Sequence, residues 1–123
     1  MNEIRVLSSF EREFKKLGKK YKGITKDLAN LFEQLAENPF LGDVIPNTNG
    51  ARKVRMAISA KNKGKSGGAR VITYVLEYTE AGDCEIWLLS IYDKSELENV
   101  SQEFITQKIA EALAEEIEND SLE

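Results

Sequence analysis

The sequence predicts an α+β fold on three observations. Apolar side chains recur at helical spacing through the first 38 residues, three strand-like runs joined by short turns fill residues 52–92, and the chain ends in a second stretch of helical period. At 123 residues, with 41% hydrophobic and 31% charged side chains, the chain suits one globular domain whose core needs neither disulfide nor metal. One domain over residues 1–123 is expected.

Ile4 to Leu7 reads as a short first strand, and Ser8 with Glu11 has the form of a capping box that starts a helix. Phe10, Phe14, Leu17 and Tyr21 follow at helical spacing, with a lysine-rich opposite face that reads mainly as a solvated surface. Gly18 and Gly23 loosen the helix end, and Thr25 is a candidate cap for a second helix with Leu28, Leu31, Phe32 and Leu35 as its apolar stripe. Asn38-Pro39 stops it. The two helices form an antiparallel hairpin. Pro39 to Gly50 is turn-rich and reads as a connecting loop.

Strands are expected at about Arg52 to Ser59, Arg70 to Tyr78 and Cys84 to Tyr92, with connections short enough for an antiparallel meander. Both faces of the middle run are largely apolar, so it belongs in the centre of the sheet. Trp87, Tyr74 and Tyr78 read as core or sheet residues. Ser101 is placed to cap a final acidic helix, about residues 101–119, whose stripe is Phe104, Ile105, Ile109, Leu113 and Ile117. That helix either closes the core with its acids in solvent, or covers or neighbours the cationic face, or complements a basic partner.

The formal net charge of −4 conceals strong segregation. Residues 51–70 hold Arg52, Lys53, Arg55, Lys61, Lys63, Lys65 and Arg70 without one carboxylate, whereas nine acids and Lys108 alone follow residue 94. Screening limits remote charges to about 8–10 Å, so a local cationic face can attract phosphate in an acidic chain. Alternation along Arg52–Ser59 puts Lys53 and Arg55 on the same face. Ala60–Gly68 reads as a cationic hairpin loop, either solvated or binding phosphate through its lysines and its close-approaching backbone. The GKSGG run lacks the upstream glycine of a nucleotide-binding loop and lies between strands, which argues against nucleotide hydrolysis.

The chain contains no histidine, and this argues against zinc chemistry and against Ser-His-Asp or Cys-His catalysis. No cofactor or metal is expected. Cys84 is the sole cysteine and reads as a small strand residue. Neither a signal peptide nor an apolar run near the roughly 20 residues of a membrane span is evident, so a cytoplasmic location without membrane attachment is expected.

The run NPFLGDVIPNTNGARKVRMAISAKNKGKSGGARVITYV, followed by IWLLSIYDKSELENVS, resembles the RelE/ParE superfamily of bacterial toxin–antitoxin toxins, and most closely its HigB-type branch. The resemblance extends over roughly Phe10 to Ser101. It implies a RelE-like fold: an N-terminal helical hairpin packed on a small antiparallel β-sheet, with a C-terminal helix. It also implies an mRNA interferase that enters the ribosomal A site and cuts the messenger by attack of a ribose 2′-hydroxyl on the adjacent phosphate. The implied partners are the ribosome, its messenger and a cognate antitoxin of helix-turn-helix, HigA-like type.

Carried over by position, Lys53 and Arg55 are the basic pair of the first meander strand, with Lys53 a candidate base, and Arg70 stabilises the transition-state phosphate. Lys94 falls where an arginine of RelE-type members assists the leaving group. The base-stacking tyrosine of those members would fall near Val100, which cannot stack, so Tyr92 is the substitute candidate. Arg52, Lys61, Lys63 and Lys65 are assigned to gripping RNA. Tyr92 and Asp93 also fit a strand-end aromatic and a helix cap. Two other functions stay open: a ParE-like gyrase inhibitor, and a non-catalytic RNA- or ribosome-binding protein.

Overall fold

The computed structural model describes residues 2–61, 67–77 and 83–121. Lys63, Lys65, Tyr78 and most of the acidic turn after it lie outside the described residues. Glu3–Val6 forms β1, followed by helices α1 (Ser8–Lys20) and α2 (Ile24–Glu37). The apolar stripe expected for α1 is present: Phe10 and Leu17 are buried, and the rings of Phe10 and Phe14 stack at 6.4 Å.

The helix starts differ from the capping pattern in the sequence. Leu7, not Ser8, is the N-cap of α1; leucine has no polar atom with which to cap, and its extended backbone carries the side chain into the core at 1% exposure. Gly23 precedes α2 with φ of 82°, a left-handed backbone that glycine adopts without strain, so Thr25 lies inside the first turn. Asn38 ends α2 as expected.

The remaining elements are β2 (Asp43–Val44), β3 (Arg52–Met56), a 3₁₀ turn (Ser59–Lys61), β4 (Ala69–Glu77), β5 (Cys84–Asp93) and α3 (Gln102–Ser121). Thus the loop expected over Pro39–Gly50 contains a two-residue strand. β3 stops at Met56, short of Ser59, because the buried Asp27 of α2 captures the Ser59 backbone N–H at 3.0 Å and its hydroxyl, bending the chain away. Ser101 caps α3 as expected, accepting the Phe104 N–H at 3.1 Å.

Five strands form one sheet in the order β1-β5-β4-β3-β2. The β2–β5 part is antiparallel, but β1 pairs parallel with β5, so the sheet is mixed and the fully antiparallel sheet implied by the resemblance is corrected. A parallel neighbour requires a crossover connection, and the α1–α2 hairpin belongs to that connection. β4 is central, as its two apolar faces predicted. All of β5 is buried, which requires cover on both faces, and α1 and α3 both pack on it. Ile105, Ile109 and Ala112 of α3 join Trp87, Ile72, Leu88 and Leu31 in one core, so the final helix closes the core. No helix among the described residues is long and apolar enough to cross a membrane.

Candidate functional site

The meander aligns three of the singled-out residues in one row. Arg55 of β3 is directly opposite Arg70 of β4, and Arg70 is directly opposite Tyr92 of β5. Directly paired residues share a face of the sheet with Cβ atoms about 5 Å apart. Lys53, two residues along β3, shares that face. Arg55 is exposed, whereas Arg70 retains 4% and Tyr92 7%.

The position of Tyr92 depends on a bulge. Ile72 pairs with Ser90 and Thr73 with Leu88, leaving Leu89 as the extra residue of β5. Alternation along β5 therefore changes phase, and Ser90 and Tyr92 lie on the face that Trp87 occupies further back. Glu13 of α1 holds the bulge, accepting from the Ser90 hydroxyl at 3.1 Å and the Ile91 N–H at 3.3 Å. Burial pushes the Glu13 carboxyl above its ordinary range, and these bonds only partly oppose it.

Burial likewise raises the Tyr92 phenol above the usual tyrosine range, with Arg70 pulling the other way. For Arg70, burial and then the charge of Arg55 lower the pKa, and Tyr92 opposes both. The row thus keeps a desolvated guanidinium between a second guanidinium and a neutral phenol. Beside it is a groove of about 340 Å³, lined by Leu41, Gly42, Asp43, Lys53, Val54 and Arg55. Asp43 of β2 is the register partner of Lys53. Lys53 Nζ donates to Asn99 Oδ1 at 2.5 Å, and the Tyr92 hydroxyl makes a long 3.5 Å contact with the Glu98 carbonyl.

No family model matches the chain.

The other singled-out residues have separate positions. Arg52 is on the opposite face of β3, where its guanidinium donates to the carbonyls of Phe40 and Gly42 at 3.0 Å each and lies over the Phe40 ring. Lys61 is largely buried, its ammonium 2.5 Å from Asp93 and 3.1 Å from the Gly67 carbonyl. Lys94 is exposed just past β5, where its backbone N–H donates to Gly68 at 3.1 Å. Lys63 and Lys65 fall outside the described residues.

Asp93 caps a turn, not a helix: it accepts from the Ser95 N–H at 2.9 Å and the Ser95 hydroxyl at 2.7 Å. It also takes the Tyr21 hydroxyl and the Lys61 ammonium. Burial disfavours its charge, but the bonds from Lys61, Tyr21 and Ser95 prevail and hold it well below the usual carboxylate range. The clamp ties the ends of α1 and β5 to the base of the cationic hairpin. Sequence reasoning missed Asp93 as the centre of this clamp and missed Asn99. Each acts through a partner more than thirty residues away, and no local pattern encodes such a partner. Among the described residues, no group of three His, Cys, Asp or Glu side chains is arranged to hold a metal.

Proposed function

We propose that the chain is a ribosome-dependent messenger endonuclease, a HigB-like toxin of RelE-like fold from a two-protein toxin–antitoxin module. The observation that carries this reading is the row Arg55–Arg70–Tyr92 with Lys53 beside it, four groups suited to a phosphodiester on one face of the sheet. In the proposed reaction the ribose 2′-hydroxyl loses its proton, its oxygen bonds to the adjacent phosphorus, and the bond to the 5′-oxygen breaks. A 2′,3′-cyclic phosphate and a 5′-hydroxyl result.

Arg55 offers a planar donor fork to the phosphate oxygens that gain charge in the phosphorane, and Arg70, which donates to the Ala69 carbonyl at 3.1 Å, adds its positive charge beside it. Desolvation of Arg70 strengthens its share, since fewer waters compete for its donors. Tyr92, kept a phenol by burial, has a proton to give to the leaving oxygen or a ring to stack on a base. Lys53 is the candidate acceptor of the 2′-proton, and Lys94, beyond β5, is the further cation for the leaving group. The proposal includes a cytoplasmic site of action, entry into the ribosomal A site and restraint by a helix-turn-helix antitoxin.

The test is induced expression in a bacterium, comparing the intact chain with Arg55→Ala and Arg70→Gln, while messenger 5′ ends are mapped with translation running and blocked. Growth arrest with translation-dependent cuts that end in 5′-hydroxyls, and that disappear in both variants, is the expected result. Arrest without cuts overturns the nuclease reading and favours gyrase inhibition or binding alone.

A further inference from the structure

We propose that Asn99 is a positioning residue of the candidate site, acting by fixing the amino group of Lys53; the proposal rests on the nuclease reading above. A lysine ammonium ends a stem of four rotatable carbons, so its position is undefined unless something holds it. Here one side chain does so, at 2.5 Å. The Asn99 atom facing it is the carbonyl oxygen, so a Lys53 N–H donates and the lone pair of the neutral amine stays available for a proton.

Asn99 is itself well placed to aim a partner. Glu98 before it contacts the Tyr92 hydroxyl through its carbonyl, and Val100 after it packs against the core. Ser101 caps α3, and Gln102 donates to the Pro46 carbonyl at 3.1 Å. The residues on both sides of Asn99 are thus fastened to the sheet, the helix and the loop before β3. A group held this way restrains Lys53 near Arg55 before any RNA arrives, so ordering that side chain costs nothing during the reaction.

Asn99 is exposed, on a segment outside the sheet, so removing its side chain leaves the core untouched. The test is a double-mutant cycle with Asn99→Ala and Lys53→Ala, read as single-turnover cleavage of ribosome-bound messenger, ribosome affinity and melting temperature. Asn99→Ala is expected to slow cleavage by roughly ten- to a hundred-fold while affinity and melting stay the same. Asn99→Asp keeps the acceptor, but its negative charge favours the Lys53 ammonium over the amine that accepts the proton, so the rate is expected to recover only as pH is raised. In the Lys53→Ala background, Asn99→Ala is expected to change nothing further.

Equal slowing in both backgrounds, an unchanged rate, or a rate loss matched by lost affinity or melting temperature overturns the proposal. If the intact chain cuts no messenger, the nuclease reading fails. The same cycle read as affinity for a short RNA then decides the pair, with coupling upholding the Lys53–Asn99 link and additivity overturning it.

Discussion

Arg55 and Arg70 oppose each other across β3 and β4, two guanidinium groups at directly paired positions. Like charges directly opposite on a sheet are destabilising. The repulsion within the pair therefore opposes folding. Arg55→Gln is expected to stabilise the free protein by about 0.5 kcal/mol, seen as a raised melting temperature at low salt, while RNA affinity falls. A variant that lost stability would show that Arg55 holds the fold.

The clamp on Asp93 carries a prediction with a defined sign. Asp93 is held below the ordinary carboxylate range, so its contribution to stability is complete above about pH 4. It drains away as pH falls toward the folded-state value. Asp93→Asn leaves the largely buried Lys61 ammonium without a counter-charge and is expected to cost about 3 kcal/mol at neutral pH. Melting curves from pH 2 to pH 7 check both points: the variant should start lower and lose less on acidification.

Gly68 marks where backbone must pass backbone. A Cβ there would lie 2.2 Å from the Met56 carbonyl oxygen and 3.0 Å from the Ile58 nitrogen. Gly68→Ala is expected to push β3 away from β4 at the base of the hairpin, costing about 2–3 kcal/mol by overpacking. Denaturant unfolding measures the loss, and amide exchange at Arg55 and Arg70 should quicken with it.

Two isoleucines of α3 separate packing from surface. Ile109 is 5% exposed and belongs to the core, so Ile109→Ala is expected to cost about 2–4 kcal/mol. Ile117 is 67% exposed, and Ile117→Lys is expected to stay within about 0.5 kcal/mol of the parent. Thermal unfolding of the two variants side by side checks the contrast.

Long apolar periodicities were legible: the stripe of Phe10 and Leu17, the meander and the Ser101 cap all follow from spacing or local chemistry. Features defined by distant partners were not. β2 is two residues long and exists only through its pairing with Lys53 and Arg52. The starts at Leu7 and Gly23 depend on backbone angle and burial, where side-chain pattern pointed to Ser8 and Thr25. At the site, alternation put Lys53 and Arg55 on one face, but only the register aligns Arg70 and Tyr92 with Arg55. The cluster of cations also divides in space. Arg52 braces a loop and Lys61 serves a buried carboxylate, two destinations that a count of charges cannot distinguish.

The parallel docking of β1 on β5 has a consequence for the order of events during synthesis. Arg5 bonds to Glu85, eighty residues later in the chain. The first strand made must therefore wait for the last strand before it finds a neighbour. Tyr92, the β5 member of the row, is on that same late strand. A nascent chain lacking residues 84–93 has neither a docked first strand nor a complete row, so the assembled row appears only once almost the whole domain has been made.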